Sequence, residues 1–336
     1  MIEATIRLVE SGSDLTKEEM AEAMQAVMEG KCSEDEIAGF LLALHRKGEA
    51  VSEVAGAAAA LRKHVTPIRS SRRPLLDTCG TGGDGSRTFN ISTAAALVVA
   101  AAGVPVAKHG NRGMTSRSGS ADVLAALGVN IEAGVATVEA CLDELGICFC
   151  FAPLLHQAMR HVAPVRRKLG VPTIFNILGP LANPAGASLQ LLGVGREGLR
   201  PLLAEALAML GVGRALVVHG EDGLDEVTLS GRTRVSEVAA GRLREFAWSP
   251  ADFALPEIDL DSLRVDGPGE SADVIRGVLG GRRCPARDIV VANAAAALWT
   301  AGRGPTVLDC ARLAAETIDT GAASELLARL AQSSHR

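Results

Sequence analysis

The chain has no basic excess. Its 34 Lys and Arg are outnumbered by 39 Asp and Glu, for a net charge of −5 at pH 7. A general nucleic-acid binder needs a positive surface to displace phosphate counterions, so the balance argues against that class, although it does not exclude a local basic pocket. No Cys-x-x-Cys pair occurs among Cys32, Cys79, Cys141, Cys148, Cys150, Cys284 and Cys310, and their number is odd. They read as reduced core thiols of a cytosolic protein rather than a metal or redox centre. The most apolar run, AAALVVAAAGVPVA, is too short and too alanine-rich to span a bilayer. The opening MIEATIRLVESG carries Glu3 and Glu10 and does not resemble a secretory leader. The expected setting is the cytoplasm, with no membrane and no nucleic acid among the partners. Tyrosine is absent and aromatics make up 3% of the chain, yet 48% apolar and 22% charged residues are ordinary for a soluble globular protein.

What is present divides in two. A chain of 336 residues is long enough for about two domains. The first 65 residues read as helices. Thr16 with Glu19, and Ser33 with Glu36, make capping-box patterns before apolar stripes (Met20, Met24, Val27, Met28; then Ile37, Phe40, Leu41, Leu44). Ser52 is placed to cap a further helix reaching about Lys63. VTPIRSSRRP then reads as a linker with solvated arginines. From residue 74 short apolar runs (PLLDTC, VPVAKHG, GVNIEA, GICFCFA, LQLLGVG, ALVVHG) alternate with helical patterns. Continuous apolar strands between helices imply a parallel sheet covered on both faces, with ligands at the C-terminal strand ends. VTLS, TRVSEV and RLREFAW suggest antiparallel strands, and the last 70 or so residues read as helical. The expected organisation is a helical domain over 1–70, joined by a returning helical insertion around 156–185, and an α/β domain over 74–336.

Four stretches carry chemistry. DTCGTGGDGSRTFNIST, residues 77–93, sets four glycines between a strand and a helix start, an arrangement suited to anions. Asn90 or Ser92 is placed to cap a helix beginning near Thr93. Gly80, Gly82 and Gly85 loosely match the dinucleotide fingerprint, but the next strand ends in Lys108, His109, Asn111 and Arg112 instead of the acid that fingerprint needs. A Walker pattern is also missing. KHGNRGMTSRSGSADVLAALG repeats the strand–loop–helix design, with Lys108, Asn111, Ser116 and Ser120 able to bond a polyanion, or Ser120 simply capping its helix. Two such loops predict a ligand with several phosphates. HGEDGLDEVTLSG supplies Glu221, Asp222, Asp225 and Glu226, and acids beside a phosphate pocket suggest Mg²⁺. In the insertion, one or two of Arg160, Arg166, Arg167 and Lys168 could clamp a carboxylate.

Together these stretches resemble the anthranilate phosphoribosyltransferase family. DTCGTGGD, TFNIST, KHGNR, SGSADVLAALG, HVAPVRRKLG, TIFNILGPLANP and GLDEVTLSG stand in the family's order over about residues 10–330. The resemblance implies a small all-helical domain and a larger α/β domain of the nucleoside phosphorylase/phosphoribosyltransferase kind, with a mostly parallel central sheet flanked by helices. It implies transfer of the phosphoribosyl group of phosphoribosyl pyrophosphate to anthranilate in tryptophan biosynthesis, by a homodimer paired through the helical domains. Gly80, Gly83, Asp84, Thr88, Asn90, Ser92, Thr93, Lys108 and Ser120 would then surround the phosphoribosyl donor. Ser92, Asp225 and Glu226 would hold Mg²⁺, and Gly80, His109, Asn111 and Arg166 would meet anthranilate. Pro172 and the wording GMTSR depart from the family's usual pattern without removing any of these residues. The competing readings are a pyrimidine nucleoside phosphorylase-like enzyme and a non-catalytic nucleic-acid-binding relative. The second would be expected to lose the acids and gain basic surface.

Overall fold

The computed structural model describes residues 2–113 and 118–336. Four helices open the chain: α1 (Glu3–Glu10), α2 (Lys17–Met28), α3 (Glu34–Lys47) and α4 (Val51–Lys63). Both expected capping boxes form. Thr16 and Ser33 each accept from the backbone N–H three residues on, and Glu19 and Glu36 return the bond. Helix α4 begins differently from the expectation, because Ser52 lies inside it and donates to Leu15 O at 2.6 Å. Glu53 takes the capping role. It is fully buried and accepts from Ala50 N (2.8 Å), Leu15 N (3.0 Å) and Lys47 Nζ (3.0 Å).

The α/β part runs β1 (Leu76–Asp77), α5 (Ile91–Ala101), β2 (Val106–Gly110), α6 (Ser120–Ala126), α7 (Val135–Leu145) and β3 (Ile147–Phe151). The insertion follows as α8 (Ala152–Leu155), α9 (Ala163–Leu169) and α10 (Phe175–Leu178), with short 3-10 turns between. Then come β4 (Leu189–Gly193), α11 (Leu199–Met209), β5 (Arg214–Gly220), β6 (Thr233–Ala239) and β7 (Arg242–Trp248). Helices α12 (Pro268–Leu279), α13 (Pro285–Thr300), α14 (Val307–Asp319) and α15 (Ala322–Ser333) close the chain. Among the described residues, no helix is long and apolar enough to cross a membrane.

The seven strands form one sheet in the order β3-β2-β1-β4-β5-β6-β7. The first five are parallel and the last two antiparallel. Both faces are covered, which is why the strands read as unbroken apolar runs. Along β5, Leu216 and Val218 join one core with α5 and α13, while Ala215 and Val217 join the other with the helical bundle, the insertion and α11. That second core packs Met20, Met24, Phe40 and Leu44 against Val162, Val165, Ile174 and Leu178.

Two runs expected as strands are not. GVNIEA buries Val129 and Ile131 but makes a turn after α6. VTLS buries Val227, Thr228 and Leu229 in succession, and the Asn293 side chain stands where a partner strand would be. It accepts from Val227 N and donates to Val227 O, both at 2.9 Å.

Strand order reverses between β1 and β4. Such a switch point opens a crevice at the C-terminal strand ends, where open α/β sheets bind ligands.

Candidate active site

The loop after β1 lies at that switch point. Gly82, Gly83 and Gly85 take φ of 67°, 81° and 72°, backbone that a Cβ would strain. Two bonds fix the loop from the β4 side. Thr81 N donates to Gly193 O and Gly82 N to Asp225 Oδ2, both at 2.9 Å. Gly193 has to be glycine for a different reason: a Cβ there would lie 1.6 Å from Asp225 O.

Helix α5 begins at Ile91, earlier than expected, and neither Asn90 nor Ser92 caps it by its side chain. Asn90 Oδ1 instead accepts from the hydroxyls of Ser118 (3.0 Å) and Ser271 (3.2 Å). Glu226 supplies the capping acceptor, taking Ser92 N at 3.0 Å, so an acid sits against the positive end of the helix. Thr88 and Ser86 share a hydroxyl contact at 3.2 Å. Among the described residues, Thr93 Oγ1 is a buried polar atom with no hydrogen-bond partner.

Three carboxylates meet here. Burial, then the nearby charge and hydrogen bond of Asp84, push the Asp225 carboxyl up to about 7. Burial, then Asp225, raises Glu226 well above the usual carboxylate range. Like charges held together in a poorly solvated place favour a cation between them. Of the four acids in the 221–226 turn, only these last two face the loop. Glu221 pairs with Arg234, and Asp222 braces its own turn through Leu224 N and the Thr228 hydroxyl. Lys108 is buried, with Nζ 3.2 Å from Ser92 Oγ and from Thr78 O.

Around β2 and the next loop, Asn111 is exposed and accepts from Arg112 N. Ser120 is the first residue of α6 rather than its cap, and its hydroxyl reaches Asn111 O at 3.5 Å. Asp122 binds the N–H groups of Gly113 and Gly119 in the capping role. The expectation for Ser116 lies outside the described residues.

His109 faces the insertion, whereas its neighbour Lys108 reaches Thr78 and Ser92. His109 Nδ1 lies 3.0 Å from Gly179 O, and a carbonyl can only accept, so the proton is on Nδ1. His109 Nε2 is therefore the acceptor, and His156 Nε2–H donates to it at 3.1 Å. Burial holds both imidazoles neutral, lowering His109 to about 3 and His156 to about 4. No sequence motif marks His156. Its signal was its place just after β3, at the C-terminal edge of the sheet. Arg166 is half-buried, donates to Asn176 Oδ1 at 3.1 Å and lies over the Phe175 ring. Arg160, Arg167 and Lys168 are exposed, and Lys168 pairs with Glu34.

Asp77, Cys79 and His109 bring ligand atoms within 4.8 Å of one another. This is a satisfied network, however. Asp77 accepts from His109 N (3.1 Å) and Asn183 Nδ2 (2.7 Å), and both His109 nitrogens are engaged.

Comparison with known proteins gives consistent matches over the whole chain. The glycosyl transferase family helical bundle domain matches residues 3–65, and the glycosyl transferase family a/b domain matches residues 72–324. Anthranilate phosphoribosyltransferase of Rhodopirellula baltica is 51% identical over 321 residues, covering 96% of this chain and 94% of its own. That of Moorella thermoacetica is 48% identical over 97% of this chain and 96% of its own. The crystal structure of anthranilate phosphoribosyltransferase from Thermus thermophilus superposes with a TM-score of 0.93 at 46% identity, covering 98% of this chain and 99% of that one. The Saccharomyces cerevisiae enzyme in complex with PRPP and Mg gives 0.89 at 29% identity, covering 99% and 98%.

Proposed function

The chain belongs to the anthranilate phosphoribosyltransferase family, and from that membership we propose how its residues divide the work. The reaction moves the phosphoribosyl group of phosphoribosyl pyrophosphate to the amine of anthranilate, releasing diphosphate, within tryptophan biosynthesis. The observation that carries the assignment is the meeting of the β1 loop with Asp225 and Glu226 through Gly82 N and Ser92 N.

Gly80, Gly83, Asp84, Thr88, Asn90, Ser92, Thr93, Lys108 and Ser120 surround the diphosphate and ribose of the donor. Breaking the ribose C1–O bond builds negative charge on the leaving diphosphate. Loop N–H groups and the Lys108 ammonium stabilise that charge where it develops. The raised carboxyls of Asp225 and Glu226, with the Ser92 hydroxyl, fit Mg²⁺. When bound, it neutralises these acids and offsets charge on the departing phosphates.

Gly80, His109, Asn111 and Arg166 hold the acceptor, with Arg166 available for its carboxylate. An aromatic amine is largely uncharged at neutral pH, so no strong base is required, and catalysis rests on positioning and electrostatics. Both nitrogens of His109 are committed, which supports an orienting role over proton removal.

The helical body comprises residues 1–70 with the insertion around 156–185, and the α/β body spans 74–336. Grouping the insertion with the first helices is supported by the core that joins α2 and α3 to α9 and α10, a core that also takes in α11 and one face of β5. Pairing of two copies through the helical body accompanies this reading, and Leu8 on α1 is an exposed large apolar side chain there. A cytoplasmic setting belongs to the same reading. Arg166→Ala is the test of the acceptor assignment. It should raise the anthranilate KM at least tenfold more than the donor KM, about 1.4 kcal/mol of discrimination. The reverse pattern rejects it.

A further inference from the structure

The segment Gly179–Asn183, just after α10, is held by side chains from four different elements. His109 of β2 donates to Gly179 O at 3.0 Å. Gln190 of β4 donates to Pro180 O at 2.6 Å, and Arg62 of α4 donates to Leu181 O at 2.7 Å. Asn183 returns two bonds, to Asp77 Oδ2 of β1 (2.7 Å) and Ala107 O of β2 (2.8 Å). Three successive carbonyls are thus each taken by a side chain from a different element.

Gln190 stands out among these anchors. It is 2% exposed, and among the described residues its Oε1 is buried without a partner. A buried amide oxygen left unpaired is destabilising, a cost that an apolar residue of the same size would avoid. Its amide N–H is therefore the useful part, and that N–H points at Pro180 O. Gln190 is also the direct ladder partner of Asp77 across the β1–β4 pair, so the two anchors stand side by side at the switch point. Three residues further along the chain from each, roughly 10 Å on, lie Gly80 in the loop after β1 and Gly193 at the end of β4, where the donor loop is fixed. Upstream of the anchored segment, α10 presents Asn176, which holds Arg166.

We infer that Gln190 is a positioning residue for the acceptor: it sets the distance between the anthranilate side, carried by residues 166–183, and the donor loop, carried by β1 and β4. It acts through the Gly179–Asn183 segment and need not touch either substrate. The inference rests on the proposed assignment of Arg166 and His109 to the acceptor.

The test is Gln190→Met, which keeps the volume and removes the donor. The expected result is an anthranilate KM raised about tenfold and a lower kcat, with the donor KM within about twofold, because a displacement of the order of an ångström at the acceptor is enough to slow transfer. Arg62→Met, made at a half-buried position, removes a second anchor and should give the same split should Gln190→Met fail to fold. Equal rises in both KM values, alongside a lowered melting temperature, would mean a merely structural role and overturn the inference, as would unchanged constants. Wild-type protein assayed in parallel separates the two readings. If it fails to consume anthranilate, the proposed function falls. If it is active while the variants show no split, only the positioning role falls.

Discussion

Gly193→Ala perturbs Asp225 and Glu226, the acids proposed to hold Mg²⁺, without replacing them. The new Cβ would lie 1.6 Å from Asp225 O and 2.5 Å from Asp225 C, whereas real Cβ contacts stay above 3.0 Å, so one backbone must retreat by about 1.4 Å. Both candidates for moving carry the site. Gly193 O accepts from Thr81 N at 2.9 Å, and Asp225 accepts from Gly82 N at 2.9 Å while its neighbour Glu226 accepts from Ser92 N at 3.0 Å. A retreat of that size breaks at least one of these bonds. Overpacking of this kind destabilises by about 1–3 kcal/mol, and a misplacement near 1 Å costs about a hundredfold in rate. The variant should therefore fold, with a modestly lower Tm, show a kcat reduced about a hundredfold and need more Mg²⁺ for half-maximal activity. Steady-state fluorescence of anthranilate across a Mg²⁺ series measures this. Gly134→Ala is the control, because a Cβ there meets nothing within 4 Å and φ is −66°. Wild-type kcat and Mg²⁺ dependence in Gly193→Ala would refute the claim that this contact holds the acids to the loop.

Removing the Glu53 carboxylate should weaken the helical body far from the chemistry. Glu53→Ala strands the N–H groups of Leu15 and Ala50 and removes one partner of the Lys47 ammonium, which keeps Asp14 and the Gly48 carbonyl, so a loss of about 3 kcal/mol is expected in denaturant melts with both KM values unchanged. Acid should erode stability through the histidine pair. His156 is lowered to about 4, below the unfolded value near 6.5, so the unfolded chain takes up its proton first and stability falls as the pH drops through that window. Asp77 and Asp225, raised to about 6 and about 7, act in the opposite direction, so the histidine contribution is read from a difference between proteins. His156→Gln should lose about 1.5 kcal/mol less than wild type between pH 6.5 and pH 5 in urea unfolding, and an unchanged slope would contradict buried neutrality.

Much of the site was legible because its chemistry is local. The glycines, Lys108, Asp225 and Glu226 advertise themselves by residue type beside strand ends. The strand–helix alternation was legible because both sheet faces are buried. What stayed hidden depends on long-range partners. VTLS has the alternation of a strand, and only the fold reveals that Asn293 occupies the place of its neighbour. The start of α5 was misplaced because its capping oxygen comes from Glu226, distant in sequence, rather than from a local hydroxyl. Ser52 looked like a cap until Glu53 proved to be the buried acceptor. His156 carries no motif and acquires meaning only when β3 is laid beside β2 and its ring reaches His109.

The most direct measurement follows anthranilate fluorescence with phosphoribosyl pyrophosphate present, with and without Mg²⁺, in wild type and in the doubly substituted Asp225→Ala, Glu226→Ala protein. The account predicts a loss of signal in wild type that requires both the donor and Mg²⁺, and no turnover in the double variant at ordinary Mg²⁺. Consumption without metal, or near-normal activity in the double variant, would contradict it.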